Sequence, residues 1–326
     1  MPSVAVIMPC FNGAPYLKRA LDSVAEQAHP PDEVILIDDG STDGSVAVAE
    51  SHPLAGGPLR ILHSKAGNGA GTRNVGIAAT NCDWLAFLDA DDYWLSHHLQ
   101  QALALIRHPE TVAYMAHRRY LHHGQTQTYE GRQPYGIETP TDGIEAAEYV
   151  PRYFNGSLSF FMSSTLMRRD RVEAVGAFND KQIRRHDIEL WLRVIAGHRW
   201  AFHPRAATVY QIDTPGAISS NLSDREYWFY KALADNADSH PGPDMKALLQ
   251  LAARRMVVAA LTNGTGDDRR RARRLANPVL TPKNRLMMRV AGLCPPLFGW
   301  INRMRRRRIQ RRRAREVAST AQGANG

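Results

Sequence analysis

The chain has 326 residues, 44% of them hydrophobic, which is enough for a full core in one large α/β domain with appendages or in two smaller domains, and excludes a disordered or fibrous chain. Its formal charge of +9 is local: residues 303–315 carry nine arginines and no acid, and the remainder is neutral overall. Three scattered cysteines, Cys10, Cys82 and Cys294, support neither a disulfide framework nor a zinc site and fit a reducing cytoplasm, and the N-terminus lacks the basic region that opens a signal peptide.

In chain order, VAVIM (4–8) predicts a strand buried on both faces. Residues 14–28 place Leu17, Ala20, Leu21, Val24 and Ala25 on one helical face. EVILID (33–38) predicts a second strand, stopped by the turn-forming run from Asp39 to Asp43, and SVAVAES a helix after it. RILH (60–63) is a third strand, the Gly-rich stretch 66–71 leads into a helix through Ala79, WLAFLD (84–89) is a fourth strand, and a helix follows around 96–107. This alternation predicts a largely parallel sheet with helices on both faces. Ligands of such sheets bind beyond the carboxyl ends of the strands. Asn12 and Gly13, Asp38 and Asp39, and the run Asp89, Asp91 and Asp92 all fall on that edge.

Beyond residue 110 the pattern loosens. Residues 111–124 predict a strand, 124–157 form loops without readable elements, and 163–178 a strand leading into a short helix. Residues 187–197 predict a helix ended by Gly197, RWAFHP (199–204) and ATVYQI (207–212) two short strands, and 224–262 two helices. GTGDDRRRARR (264–274) reads as a linker. The segment 286–301 is apolar but shorter than the roughly 20 residues of a transmembrane helix, and it carries Arg289 and a proline pair.

Asp89 and Asp91 stand two residues apart at a strand end, so both carboxylates point the same way and can meet one hard cation, Mg2+ or Mn2+, whose natural third partner is a diphosphate. Asp92, closer to the next helix, is expected to open it. Asp39 is placed to accept from a ribose or a base N–H, with Asp43 capping. GNGAGTRNVG (67–76) is neither a P-loop nor a dinucleotide fingerprint; Arg73 offers a planar donor to phosphate, and a plain loop reading stays open beside it. His97, His98, His117, His122 and His123 lack partner spacing for a metal and are expected at surface or core positions.

Together, PCFN (9–12), DDGSTDGS (38–45), GNGAGTRNVGIAAT (67–80) and FLDADD (87–92) resemble, in order and spacing, the inverting family 2 of glycosyltransferases over roughly residues 3–215. The resemblance implies an α/β fold of GT-A type: a nucleotide-binding, mixed and mainly parallel sheet flanked by helices, with C-terminal helices after it. It implies that Pro9, Phe11 and Asn12 flank the nucleotide, Asp39 contacts the base, Arg73 lies near the diphosphate, Asp89 and Ala90 lie by the ribose, and Asp91 holds the metal. RRHDIELWLRV (184–194) resembles the family's acidic pair followed by Leu-Trp, with His186 where Glu is usual and Asp187 on the general-base position. A helix N-cap reading of Asp187 competes. Glu189 is the backup base, and His186, Glu189 and Trp191 are assigned to the acceptor side. Asp213 stands where many relatives have a metal-side His and is a candidate oxygen ligand.

The expected organisation is a glycosyltransferase domain over 1–222, with a donor half (1–110) and an acceptor half (111–222), a helical extension over 223–280, and an apolar and Arg-rich tail over 281–326. The expected activity is metal-assisted, inverting transfer of a sugar from a nucleotide-diphosphate sugar to a hydroxyl of a lipid-linked or cell-envelope polysaccharide acceptor. A non-catalytic nucleotide-sugar-binding or membrane scaffold protein is the alternative, and a nucleotidyltransferase is disfavoured because residues 12–19 lack a Gly-rich, basic triphosphate cradle. Arg303 to Arg315 is expected to meet an anionic membrane surface from the cytoplasmic side, without specific nucleic-acid binding.

Overall fold

Seven residues, Val4–Cys10, form β1, and every one except Pro9 is buried. In a computed structural model describing residues 1–122, 125–127, 137, 139–154, 160–212, 214 and 222–291, the chain divides into two compact units. The first comprises Met1–Ser220 with Lys231–Leu248, the second Asn221–Tyr230 with the chain from Leu249 onward.

In the first unit β1 is followed by α1 (Ala14–Ala25), β2 (Glu33–Asp38), α2 (Ser45–Glu50), β3 (Leu59–His63), α3 (Gly69–Ala78), β4 (Trp84–Phe87), the two-residue β5 (Tyr93–Trp94) and α4 (His98–Leu105). Then come β6 (Thr111–His122), β7 (Gln125–Gln127), β8 (Thr141–Glu145), α5 (Ala146–Phe154), β9 (Thr165–Arg168), α6 (Arg169–Ala174), α7 (His186–Ile195) and β10 (Arg199–Gln211). The strands form one sheet in the order β3-β2-β1-β4-β9-β6-β10-β5, with β7 on β6 and β8 on β10. β3, β2, β1 and β4 are parallel, as the βαβ alternation requires; β9 runs antiparallel to both β4 and β6, and β6 and β10 are parallel again.

Both faces of the parallel half are covered, which is why its strands read as unbroken apolar runs. Val4, Val6 and Met8 join Val34, Leu36, Leu17, Leu21 and Val24 in one core cluster that continues through Leu99 to Tyr114 and Leu166. On the other face α3 approaches so closely that a Cβ at Gly76 would lie 2.6 Å from Ile37 Cδ1. Ala25, expected on the buried stripe of α1, is exposed where that helix ends, and Ser23 is buried instead, its hydroxyl donating to the Ala20 carbonyl at 2.7 Å.

Three departures from the sequence expectation have plain causes. RWAFHP and ATVYQI are a single thirteen-residue strand, β10, because irregular register between His203 and Thr208 lets it stay on β6 across Pro204. β8 and α5 fill part of the stretch taken as loop; β8 is held by pairing with the distant β10, which no local pattern announces. The presumed linker is a helix. In the second unit, Thr265 and Asp268 form a reciprocal capping box at the start of α10 (Gly266–Ala276), and Asp267 and Asp268 pair with Arg270 and Arg271 three residues on.

α8 (Leu222–Asp235) and α9 (Pro243–Asn263) each contribute to both units, and α11 (Pro282–Ala291) belongs to the second. There Arg255 donates to Glu226 Oε1 at 2.8 Å and the Tyr230 hydroxyl to the Leu275 carbonyl at 3.0 Å. No helix among the described residues is long and apolar enough to cross a membrane. Arg303 to Arg315 lies outside the described residues.

Candidate functional site

The ends of β1 and β2 are stitched together by short polar side chains. Asn12 turns the chain after β1 with a left-handed backbone (φ 51°), a conformation that asparagine tolerates better than most residues. Its N–H donates to Ser41 Oγ at 2.9 Å, and its Oδ1 accepts from the Thr42 N–H at 2.8 Å. The Asp39 N–H donates to the Cys10 carbonyl, and its Oδ1 accepts from the Ala66 N–H at 2.8 Å, drawing in the loop that leads to α3. Asp43 accepts from Ser45 N–H and Ala14 N–H one position ahead of Gly44, the N-cap of α2, so it braces both α1 and α2. Pro9 lies in β1 opposite Ile37, and Phe11 beyond it is 64% exposed. Ala90 is buried, and a Cβ at Gly13 would lie 3.3 Å from its methyl.

At the end of β4 the three carboxylates take different environments. Asp89 is one-third exposed and is ion-paired to Arg73 of α3, whose own side chain is 7% exposed. Arg73 Nη1 also donates to the Gly69 carbonyl at 2.9 Å and lies 3.0 Å from His186 Nε2 at the start of α7. Asp91 Oδ2 accepts from Thr214 Oγ1 at 2.8 Å, and its carbonyl accepts from Arg19 Nη2. Burial first, then the Asp89 carboxylate, pushes the Asp91 carboxyl above its ordinary pKa. Asp92 does not open a helix: β5 follows it, and α4 begins at His98 behind an N-cap at His97. It is 1% exposed, accepts from Ser163 Oγ at 2.6 Å and from the Gln211 N–H at 3.1 Å, and burial first, then the charges of Asp91 and Asp89, raise its pKa well above the ordinary Asp value.

The start of α7 separates the acceptor-side candidates. His186 and Asp187 are its first residues, half-buried, behind an N-cap at Arg185 with a left-handed backbone (φ 57°). Asp187 is therefore not the N-cap, and its carboxylate makes no hydrogen bond among the described residues. Glu189 points away into the protein: it is 3% exposed and both its oxygens accept from Arg193, at 2.8 and 2.7 Å. With its lone pairs so engaged it is no backup base, and it braces α7 against Val175 and Ala177, whose carbonyls Arg193 also contacts. Trp191, expected on the acceptor side, is fully buried among Tyr149, Phe160 and Trp200 and is core. Asp213 lies outside the described residues, although its neighbour Thr214 reaches Asp91. Of the remaining histidines, His98 stacks in the core between Trp94 and Tyr114.

The residues that the sequence did not single out are the supports. Ser163 accepts from the Asp89 N–H at 3.1 Å while donating to Asp92, and its carbonyl accepts from Trp94 Nε1 at 2.7 Å and Thr208 Oγ1 at 3.1 Å. Its partners lie some 45 to 74 positions away, so no local spacing marks it.

Against known families, the model for glycosyl transferase family 2 matches residues 5–173, just over half of the chain. The chain belongs to glycosyl transferase family 2. Among family relatives, it is 30% identical over 194 residues to the amylovoran biosynthesis glycosyltransferase AmsB of Erwinia amylovora, covering 59% of this chain and 63% of that one. It is 33% identical over 101 residues to EpsJ, an uncharacterized glycosyltransferase of Bacillus subtilis, covering 31% and 29%. The matched stretches thus span less than two thirds of these relatives' own lengths. The solved structure of S. aureus TarS residues 1–349 with UDP-GlcNAc superposes with a TM-score of 0.69 at 15% identity, covering 93% of this chain and 92% of that one. The mannosyltransferase PcManGT of Pyrobaculum calidifontis, with GDP-Man and Mn2+, superposes with a TM-score of 0.57 at 18% identity, covering 90% and 88%. The fold is of the GT-A type.

A hard divalent cation fits the acidic turn of this family 2 chain. Asp89 and Asp91 are oxygen donors on one turn, and the Asp91 carboxyl is held above its ordinary pKa by burial first and by the Asp89 carboxylate second, both of which a cation would offset. Among the described residues no three or more His, Cys, Asp and Glu side chains are grouped so that they could hold a metal ion by themselves, so other oxygens would have to complete the shell of such a cation.

Proposed function

We propose that this chain is an inverting glycosyltransferase that moves one sugar from a nucleotide-diphosphate sugar to an acceptor hydroxyl, with Asp187 as general base. The observation that carries the reading is the contact of Arg73 with both Asp89 and His186. It joins the helix after the Gly-rich loop, the acidic turn and His186 at the start of α7, and Asp187 is the next residue of that helix, which supports the reading.

In this mechanism Pro9, Phe11 and Asn12 flank the nucleotide, Asp39 accepts from a base N–H with the oxygen that does not hold Ala66, and Asp89 meets the ribose. Arg73 offers its guanidinium to the diphosphate. A Mg2+ or Mn2+ ion held by Asp91 would supply Lewis-acid stabilisation of the charge on the leaving diphosphate. Asp187 takes the proton of the acceptor hydroxyl as that oxygen bonds to the anomeric carbon, and the bond from that carbon to the diphosphate oxygen breaks on the opposite face, its electron pair leaving with the nucleoside diphosphate. A carboxylate with no hydrogen bond among the described residues suits that role.

The donor class is supported by the UDP-GlcNAc and GDP-Man bound by TarS and PcManGT, the metal by the Mn2+ of PcManGT, and an envelope-polysaccharide acceptor by the amylovoran role of AmsB. The basic C-terminal sequence, Arg303 to Arg315, suits an anionic membrane surface, where each arginine contributes roughly 1 kcal/mol. A thermal-shift panel of nucleotide sugars with and without Mn2+, followed by assay of nucleoside diphosphate release, tests the reading. One donor that stabilises the protein in a Mn2+-dependent way and is turned over is the expected result. Stabilisation by none, or binding without turnover over a broad acceptor panel, overturns it.

A further inference from the structure

The imidazole of His186 lies 3.0 Å from Arg73 Nη1, and the direction of that hydrogen bond is fixed by chemistry. A guanidinium only donates, so His186 Nε2 accepts, which puts the ring proton on Nδ1 and leaves the imidazole neutral. Burial first and the Arg73 charge second agree with this, holding the His186 pKa down to about 4.

The surroundings make this contact specific. Phe178 packs edge-on against the His186 ring at 5.6 Å and lies 5.8 Å from the Arg73 guanidinium carbon. Phe178 is itself held by Asn74 of α3, which exchanges two 2.9 Å hydrogen bonds with its backbone. Gly69 leaves the space: a Cβ there would lie 2.8 Å from Arg73 Nη1 and 3.6 Å from the imidazole. The guanidinium is thus held by one carboxylate (Asp89), one carbonyl (Gly69) and one neutral ring. A neutral acceptor orients Arg73 without adding a second negative charge to that of Asp89, its one ion-pair partner among the described residues.

We propose that His186 is a positioning residue for sugar transfer: by accepting from Arg73 it holds the guanidinium in place for the donor diphosphate and tethers the first turn of α7, and with it Asp187, to the donor site. The proposal rests on the glycosyltransferase reading above. It makes donor binding and base placement share one hydrogen bond, so losing that bond disturbs both.

The test compares H186F, which keeps a planar ring but cannot accept, with H186Q, which returns a neutral acceptor near the Nε2 position. Donor affinity is read by calorimetry with the Mn2+ nucleotide sugar, and kcat at saturating donor and acceptor. H186F is expected to weaken donor binding about tenfold and to lower kcat about 10- to 100-fold, while H186Q recovers most of both. D187N, by contrast, is expected to lower kcat alone. A residue that serves packing only would shift Tm and leave neither parameter rescued by Gln. If H186F does not fold, H186L against H186Q carries the same comparison. An active wild type whose acceptor-free variant matches it, or whose Gln variant is no better than the acceptor-free one, overturns the role of His186. A wild type that binds and turns over no nucleotide sugar overturns the glycosyltransferase reading, and this role with it.

Discussion

Ser163 and Asp92, 71 residues apart in sequence, share a 2.6 Å hydrogen bond at the base of the acidic turn, and both are buried. Because the same hydroxyl accepts from the Asp89 N–H, one serine fixes both ends of the four-residue turn that presents Asp89 and Asp91. S163A removes the partner of the Asp89 N–H and of the buried Asp92 oxygen that Ser163 donates to. It is expected to destabilise the protein by about 1–3 kcal/mol in urea unfolding and to weaken Mn2+-dependent donor stabilisation. Unchanged stability would mean that Asp92 is held by Gln211 alone.

Asp187 and Glu189 lie two residues apart on one helix and should part company in kinetics. D187N is expected to cut kcat by about 10²- to 10⁴-fold with donor affinity retained. E189Q removes the charge partner of Arg193 and is expected to cost about 1–3 kcal/mol of stability, with kcat of the folded enzyme close to wild type. A collapse of kcat in E189Q at undiminished stability would restore Glu189 as the base.

Metal removal addresses the acidic turn directly. Dialysis against EDTA is expected to abolish transfer, and readdition of Mn2+ or Mg2+ to restore it. D91N should raise the Mn2+ concentration needed for half-maximal activity by tenfold or more, since a charged carboxylate ligand becomes a neutral amide oxygen. Full activity in EDTA would remove the cation from the mechanism.

The pH dependence of stability follows from histidines buried in the neutral form. Burial, with a smaller contribution from His97, holds His98 down to a pKa of about 3, against about 6.5 in the unfolded chain. Below pH 6.5 the unfolded state therefore binds a proton that the native state refuses. Stability is complete above that pH and declines as it falls toward 3, by up to about 1.4 kcal/mol per unit from this residue. His117, His186, His203 and His240 are depressed in the same sense, burial leading in each. Between pH 7 and pH 5, H98F should lose about 2 kcal/mol less than wild type in chemical denaturation. Parallel curves for the two proteins would count against the buried neutral ring.

The N-terminal half was readable from sequence because its strands are buried on both faces and its helices carry one apolar stripe, so local pattern and tertiary environment coincide. β2 begins and ends at Glu33 and Asp38 as expected, and the polar residues do gather at the carboxyl edge. Where long-range pairing decides, pattern fails. β8 exists through β10, and β10 persists through a proline. Asp92 resembles a helix cap until Ser163 is seen beside it. Glu189, two residues from Asp187, is turned to the opposite side of their shared helix, but Trp191, four residues on, shares the face of Asp187, and only packing against the distant Tyr149, Phe160 and Trp200 makes it core. The helix over 266–276 is the avoidable miss, since Thr265 and Asp268 spell its capping box.

The unit that bears the acidic turn is not one continuous stretch of chain. Residues Lys231–Leu248 belong to it after the chain has left it, and within that returning segment the buried His240 donates through Nε2 to the Leu192 carbonyl of α7 at 2.8 Å. A minimal transferase cut at residue 222 would discard this buttress from the helix that carries Asp187. A fragment worth expressing has to extend beyond Leu248 to the end of α9 at Asn263, and a chimera that exchanges C-terminal portions between relatives needs its junction after that helix.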